Sequence, residues 1–378
     1  MARGLYVGIS GTARRVKNIY VGVNNIARNV KKVYVGVNNV ARLVFPAPGI
    51  FKISNPESLS VVRGYLAAGS VGNYVLFGGG GISSFSVVDA YDTSLTRSTP
   101  IDLSTGRGYL EAGSVGNYVL FGGGLSSNTS FSSVVDAYNT SLTRSTPTAL
   151  SAARYWLAAG SVGNYVLFGG GGTDISNSSS SVVNAYNTSL TRSTATALSQ
   201  ARRYLAAGSV GNYVLFGGGG LGGGSSSFSS VVDAYNTSLT RSTPTDLSAA
   251  RKYLAAGSVG NYVLFGGGVT TVGGTSFLSV VDAYDTSLTR STPIDLSTGR
   301  SYLEAGSIGN YVMFGGGGNS SVVDAYNTSL TRSNPTDLSV DKTYFAAGSV
   351  GNYVLFGGGF TNSSSSSSSV VDAYTELI

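Results

Sequence analysis

The chain has 378 residues, with 24 Lys and Arg against 18 Asp and Glu, and it contains neither Cys nor His. Only 11% of its residues are charged, less than half the share of about 25% found in ordinary globular domains, while 42% are apolar and sufficient to bury a core. The missing residue types exclude disulfides, thiolate and imidazole catalysis and the metal sites built on those ligands, and they leave only hard-cation or carboxylate chemistry open. We expect no metal and no cofactor.

The charge is unevenly distributed along the chain. Residues 1–50 carry eight basic side chains and no acidic one, whereas residues 51–378 carry 16 basic and 18 acidic ones. This asymmetry predicts a basic segment over residues 1–45, a linker over 46–50 and a larger domain over 51–378. No apolar run approaches the roughly 20 residues of a spanning helix, and the N-terminus lacks a secretory h-region, so we expect neither membrane insertion nor a signal peptide.

A repeat of 14 residues, marked by three tyrosines, fills the basic segment. Each copy reads as strand, two-residue turn, strand, and the Asn24-Asn25 pair suits a type I′ hairpin because Asn tolerates positive φ. Three such hairpins are too small to form a core alone, so we expect them to anchor or oligomerise the chain. The candidate contact residues are Tyr6, Tyr20, Tyr34, Arg14, Arg28 and Arg42. The alternative for the arginines is a solvated strand face, and no fold for specific nucleic-acid recognition is present.

The tandem Tyr-Val-Gly-Val-Asn-Asn-x-Ala-Arg units over residues 5–45 look like short repeats of phage proteins. They are similar to repeats in tail-associated and other virion proteins of phages that infect Gram-positive bacteria. The resemblance implies that residues 1–45 bind other copies of the chain or virion proteins.

Two sequence blocks alternate seven times through the larger domain. The block Gly-Asn-Tyr-Val-(Leu/Met)-Phe-Gly-Gly is followed by Val-Val-(Asp/Asn)-Ala-Tyr, which begins 11 to 18 residues after the Tyr of the first block, and the next copy always begins at a fixed distance. In the first repeat, the alternation and the turn residues predict four strands, a to d, over 65–71, 74–77, 87–91 and 95–103. Seven four-stranded units predict an all-β, seven-bladed β-propeller.

The two ends of the domain complement each other. The seventh repeat stops shortly after Tyr374 and lacks strand d, while residues 51–59 align with 239–247, which form a strand d. We therefore expect the N-terminal segment to supply the outer strand of the last blade, which removes the open edges of the ring.

The blocks over residues 51–378 resemble the kelch repeat, with its di-glycine, its downstream Tyr and an Arg opening the next unit. The Trp that kelch repeats usually carry on strand d is missing, and Thr96-Arg97-Ser98 stands in its region. The resemblance implies a propeller but little about function, because this fold hosts unrelated functions. Kelch enzymes of the galactose-oxidase type need a Cys-linked Tyr and His ligands, which this chain lacks.

A basic residue ends each connection from strand d to the next strand a. Because strands alternate in direction, these connections and the variable b–c loops emerge at one face, where seven cations would ring the channel mouth. Arg binds carboxylates and phosphates through its planar fork, and in kelch proteins such positions can hold acidic ligands, so the ring is a candidate ligand-binding site. The alternative is a structural pairing of each cation with an Asp or a backbone carbonyl. The seven residues are Arg63, Arg107, Arg154, Arg202, Arg251, Arg300 and Lys342.

Two acidic residues, Glu111 and Glu304, interrupt strand a where the other repeats have Ala. They lie nearly opposite each other across the predicted channel, and a pair of carboxyl groups invites a glycosidase hypothesis. Each follows Arg107 or Arg300 by four residues, which favours a local ion pair instead. We expect no catalytic residues.

Our interpretation is a non-enzymatic phage virion protein: a tail fibre, tail tip or decoration protein that leaves the cell by lysis. Its loop face would bind a host-surface glycan or protein, and residues 1–45 would attach it to the virion. The alternatives are a kelch protein–protein interaction scaffold of bacterial origin and a carbohydrate-active enzyme.

Overall fold

The computed structural model describes residues 49–53, 56–81, 85–127, 129–176, 178–222, 227–270, 276–361 and 366–377, and the backbone of six strands before residue 46. Those six strands form three antiparallel hairpins, Tyr6–Ile9 with Thr12–Arg15, Ile19–Val23 with Ile26–Val30, and Val33–Val37 with Val40–Phe45. The predicted hairpins are therefore present. The side chains of Tyr6, Tyr20, Tyr34, Arg14, Arg28 and Arg42 lie outside the described residues, so their contact role stays a prediction.

The rest of the chain folds into seven four-stranded antiparallel sheets, which we call blades 1 to 7 in chain order. In blades 1 to 6 the strands follow the order a-b-c-d from the channel outward. Blade 1 contains Ala67–Val71, Tyr74–Gly78, Val88–Asp92 and Arg97–Ser98. Blade 2 contains Glu111–Val115, Tyr118–Gly122, Val135–Asn139 and Arg144–Ser145. Blade 3 contains Ala158–Val162, Tyr165–Gly169, Val183–Asn187 and Arg192–Ala195.

The remaining blades repeat this pattern. Blade 4 contains Ala206–Val210, Tyr213–Gly217, Val232–Asn236 and Arg241–Ser242. Blade 5 contains Ala255–Val259, Tyr262–Gly266, Val281–Asp285 and Arg290–Ser291. Blade 6 contains Glu304–Ile308, Tyr311–Gly315, Val323–Asn327 and Arg332–Ser333. Blade 7 contains Ala346–Val350, Tyr353–Gly357, Val371–Leu377 and, as its outer strand, Gly49–Lys52.

The ring closes as predicted, through a strand from the N-terminal side of the domain. Gly49–Lys52 pairs antiparallel with Val371–Leu377, with Lys52 opposite Tyr374. The inner strand of blade 7 contacts that of blade 1, just as consecutive blades contact each other. The closing strand starts inside the predicted linker. Its pairing is shifted by one residue from the predicted alignment. Arg241 lies opposite Tyr235 in blade 4, but the residue opposite the equivalent Tyr374 is Lys52 and not Ile53.

The outer strands are shorter than the sequence pattern predicts. In blade 1 strand d covers only Arg97–Ser98, whereas residues 95–103 were expected. Pro100 follows two residues later, and proline has no N–H to donate to a ladder. Blade 3 carries Ala195 at the equivalent position, and its outer strand, Arg192–Ala195, is four residues long. The proline therefore ends the outer strand.

The hydrophobic core is divided among the interfaces between neighbouring blades. Between blades 1 and 2, Leu76 and Val88 of one sheet pack with Val119 and Phe121 of the next, all fully buried. The Phe121 ring lies against Gly78, where an added Cβ would come within 2.8 Å of it, so glycine sets the spacing between the blades. Across the described residues no helix has the length and apolar character needed to cross a membrane.

Candidate functional site at the channel mouth

The seven basic residues of the d–a connections lie inside the blades and do not ring the channel mouth. Arg63, Arg107, Arg154, Arg202, Arg251 and Lys342 are 0% exposed and Arg300 is 1% exposed. Arg107 Nη2 donates to Asp136 of strand c at 2.6 Å, and Arg251 Nη2 donates to Asp282 at 2.8 Å. Burial lowers the pKa of Arg107, and the nearby Asp136 partly offsets this effect. The ligand-binding prediction for this set is therefore corrected: the geometry is that of the structural alternative.

The backbone of the same residues joins the blades. The carbonyl oxygen of Arg107 accepts a hydrogen bond of 2.8 Å from Gly80 of blade 1. Gly80 has a φ of +110°, and a Cβ there would lie 2.7 Å from the Gly64 carbonyl oxygen, so only glycine suits this join. The same bond recurs at all seven blade junctions. Each basic residue thus ties strand c of its own blade to the blade before it.

Seven aromatic residues form a closed ring at the start of strand a. Neighbouring ring centroids are 4.0 to 5.0 Å apart around the whole circle. All seven have a φ between 52° and 58°, a strained region for residues other than glycine that is often found at functional sites. The residues are Tyr65, Tyr109, Trp156, Tyr204, Tyr253, Tyr302 and Tyr344.

Hydrogen bonds between blades hold this strained backbone in place. The N–H of Tyr109 donates to the carbonyl of Tyr65 at 2.9 Å, and that of Tyr65 donates to Tyr344 at 2.8 Å. Hydroxyl groups also pair along the ring, for example between Tyr204 and Tyr253. Burial raises the pKa of Tyr109, Tyr204 and Tyr253, so these three phenols stay neutral at physiological pH.

A second ring, of serine hydroxyls, lies deeper in the channel. Ser114 Oγ donates to the carbonyl of Ser70 at 2.5 Å, and Ser70 Oγ donates to the carbonyl of Ser349 at the same distance. The pattern continues through every blade without a break. The other members are Ser161, Ser209, Ser258 and Ser307. The two rings make the channel wall a continuous hydrogen-bonded circle.

A cavity of about 130 Å³ lies at the aromatic ring, and Glu111 and Glu304 are among its lining residues. Loss of solvation raises the pKa of Glu111 to about 8. The pKa of Glu304 is raised well above its ordinary value by the same cause, and then by the charge of Glu111. The two carboxyl groups therefore border the same cavity.

The predicted ion pairs of Glu111 with Arg107 and of Glu304 with Arg300 are wrong. Arg107 points into its blade towards Asp136, while Glu111 borders the channel, because the two residues are separated by the bend at Tyr109. Within the described ranges no cation lies within salt-bridge distance of either glutamate.

The variable b–c loops meet the d–a connections at this face, as the sequence predicts. Gly108 pairs with Leu125, Tyr155 with Gly172 and Lys252 with Val269, each joining a connection to the start of its own blade's loop. In blade 4 the contact is a short ladder, Arg202–Arg203 with Gly220–Leu221. The loops of unequal length therefore surround the aromatic ring.

Blades 3 to 5 add a cluster of cations and aromatic rings beside the channel. Arg203 Cζ lies 5.0 Å from the centroid of Tyr204 and 5.9 Å from that of Trp156. Lys252 Nζ lies 5.5 Å from Tyr204 and 5.1 Å from Phe228. We call Arg203, Lys252, Trp156 and Tyr204 the cation–aromatic cluster.

Neither the aromatic ring nor this cluster is among the residues predicted from the sequence. A signal was present: in every repeat an aromatic residue follows the buried cation by two positions, as in Arg107-Gly108-Tyr109 and Arg202-Arg203-Tyr204. The tyrosine was assigned to strand a, although it precedes the first paired residue, Ala67 in blade 1. A side chain at a bend cannot be placed by the period-2 alternation that identifies strands.

The fold and this face define the class of protein, a seven-bladed β-propeller consistent with a binding scaffold. The chain is similar to a solved structure titled "Structure of YjhT", with a TM-score of 0.58 and 11% sequence identity, over 83% of this chain and 99% of that one. At that identity the likeness shows the fold alone. No protein-family model matches the sequence, and no curated protein matches it in sequence.

Proposed function

We propose that this chain is a non-enzymatic adhesion protein of a phage virion that binds a host-surface glycan or protein through the loop face of its propeller. The observation that carries the proposal is the contrast between the two kinds of connection. The length from strand c to the next strand b never varies, while every insertion lies in the b–c loops around the aromatic ring. Loops on a rigid scaffold are the usual place for recognition.

The N-terminal hairpins support the virion part of the proposal. Their 14-residue repeat resembles those of phage virion proteins, and their strands lie before the closing strand, outside the seven blades. A tail fibre, tail tip or decoration protein needs such an attachment segment in addition to a binding domain. Residues 1–45 would bind other copies or other virion proteins.

The kelch-like order of the blocks supports a second kind of binding protein, a bacterial scaffold for protein–protein interaction. Mass spectrometry of purified virions from the phage that encodes the chain separates the two. The full chain is expected in the particles, and a variant lacking residues 1–45, checked for an unchanged melting temperature, is expected to be absent. Absence of the full chain from the particles would contradict the virion assignment.

The loop face can be tested on its own with labelled full-length protein and host cells. Ile175 and Phe277 are 68% and 43% exposed in the b–c loops of blades 3 and 5. Ile175→Ser and Phe277→Ser should reduce cell binding. Asn212→Ser, in an exposed a–b turn at the opposite face, should not. Equal binding by all variants would show that another surface is used.

Catalysis is the third candidate, because two carboxyl groups line the cavity. A non-enzymatic protein is expected to turn over nothing on a panel of glycans. Turnover that is lost in both Glu111→Gln and Glu304→Gln would replace our proposal with a carbohydrate-active enzyme.

A further inference from the structure

We infer that the cation–aromatic cluster is an oxyanion subsite, which binds a carboxylate or phosphate group of the ligand through Arg203 and Lys252. The inference deepens the proposed function, on which it rests for the presence of a ligand at the loop face. Nothing in the repeated architecture accounts for these two cations.

The two cations stand at a position of the repeat where the other blades carry no charge. Arg203 and Lys252 occupy the residue between the buried cation and the channel aromatic. At that position the other blades carry Gly64, Gly108, Tyr155, Ser301 and Thr343. Since those blades form the same sheet without a cation there, the fold does not require Arg203 or Lys252.

Arg203 lacks a counter-charge among the described residues. Its side chain is buried, with the residue 4% exposed, and its Nε and Nη1 have no hydrogen-bond partner. Among the described residues no carboxylate lies within salt-bridge distance of it, whereas the repeated cation of its own blade, Arg202, pairs with Asp233. Burial of an unpaired charge is costly, and the faces of Trp156 and Tyr204 offset only part of the cost.

Two positive charges converge on one aromatic ring in this cluster. Arg203 and Lys252 approach the same ring, Tyr204, at 5.0 and 5.5 Å. The pKa of Lys252 is lowered by burial and then by the charge of Arg203. Asp174 is the acid whose charge interacts with Arg203, but its own low pKa is due first to hydrogen bonds from Ser178. An oxyanion beside both cations would relieve their repulsion.

The charged groups also fit the chemistry of such a ligand. A guanidinium edge and an ammonium both donate charge-assisted hydrogen bonds to carboxylate or phosphate oxygens. Tyr155, which hydrogen-bonds to Arg203, and Trp156 add aromatic surface beside the charges. The same Tyr204 lines the channel cavity, so an anion here lies at the edge of the candidate site.

The chain provides its own reporter, because Trp156 is its single tryptophan. Titrating full-length protein with glucuronate, glucose 6-phosphate and glucose, followed by tryptophan fluorescence and calorimetry, is the direct test. We expect saturable binding of at least one anionic sugar and none of glucose, and the comparison shows whether carboxylate or phosphate is preferred. Failure of both anions to bind would overturn the inference.

The variants use residues that other blades already carry at this position. Arg203→Ser and Lys252→Thr should keep the melting temperature and weaken binding of the anion at least tenfold, about 1.4 kcal/mol. Arg192→Ser removes the same charge from the outer strand of blade 3, where Arg192 donates to a backbone carbonyl, and should leave affinity unchanged. Unchanged affinity in Arg203→Ser and Lys252→Thr would also overturn the inference.

Host-cell binding by the same variants separates this inference from the proposed function. If Arg203→Ser binds cells normally while Ile175→Ser and Phe277→Ser do not, the loop face is the adhesion surface but the oxyanion subsite is wrong. If the anion binds as expected but the chain is absent from virions, the subsite stands and the virion proposal fails.

Discussion

The interior of the blades and the channel mouth follow opposite rules in this molecule. In the interior each blade repeats a buried Arg or Lys, an Asp or Asn partner on strand c and a glycine, as Arg107, Asp136 and Gly124 do in blade 2. At the mouth the blades differ: Glu111 replaces an alanine, and Arg203 stands where four other blades carry Gly, Ser or Thr. A position that keeps its residue type through the blades serves the ring, whereas a position whose residue type changes is available for recognition.

The comparison also explains why buried charge has different consequences in the two regions. Interior cations face an acid or amide within the same sheet, so their burial is compensated. The carboxyl groups of Glu111 and Glu304 and the guanidinium of Arg203 have no such partner among the described residues. Ionisable groups that are buried without a partner beside a cavity are typical of functional sites.

Breaking one interior pair should give the largest effect. Asp136→Ala leaves the buried Arg107 without its acid, so we expect a loss of about 3–5 kcal/mol in the free energy of unfolding. Urea unfolding followed by Trp156 fluorescence measures it. Asp246→Ala, which removes an exposed carboxylate that accepts a hydrogen bond from Ser230, is the control and should change stability little. Similar losses in both variants would contradict a special role for the interior pair.

Removing an unpaired carboxyl group from the channel mouth should instead increase the free energy of unfolding at high pH. The folded-state pKa of Glu111, about 8, lies above its ordinary value of 4.5. Folding therefore takes up a proton, and the stability present below pH 4.5 is lost as the pH rises through 8. The loss is about 1.4 kcal/mol per pH unit within that window.

Glu111→Ala, which introduces the residue that five other blades carry, should abolish much of this pH dependence and be more stable than the wild type at pH 9. Glu304→Ala should act in the same direction. Urea unfolding between pH 5 and 9 checks both variants, with Asp246→Ala as a control of unchanged slope. A wild type whose stability does not fall over this range would show that the carboxyl groups are well solvated.

The repeats made most of the fold predictable. Fixed spacing between the two blocks, alternating residues and the missing last strand led to seven blades closed by an N-terminal strand. The one-residue shift at Lys52 could not be predicted from the sequence, because a pairing register is set by hydrogen bonds as well as by residue pattern. The short outer strands follow from Pro100 and its equivalents. Blade 3 carries Ala195 instead of proline, and its outer strand is longer.

The site was harder to predict because similar residues take different directions at a bend. Arg107 and Tyr109 are two residues apart and would share a face in a regular strand. The positive φ of Tyr109 instead separates a buried ion pair from a channel aromatic. The sequence identified Arg107 and Glu111 as notable residues, but their partners depend on that local conformation.

Blade 3 offers the most direct test of this interior pairing, because its natural sequence departs from the Arg–Asp pair. Asn184 replaces the acid of strand c, and burial lowers the pKa of its partner Arg154 to about 10. Asn184→Asp should restore the pair and raise the free energy of unfolding by about 1 kcal/mol at pH 7, the usual gain when a hydrogen bond acquires a charge. The mirror variant, Asp233→Asn in blade 4, should lose a similar amount. If Asn184→Asp is destabilising instead, the amide is required in blade 3, and the interior is not as uniform as the other six blades indicate.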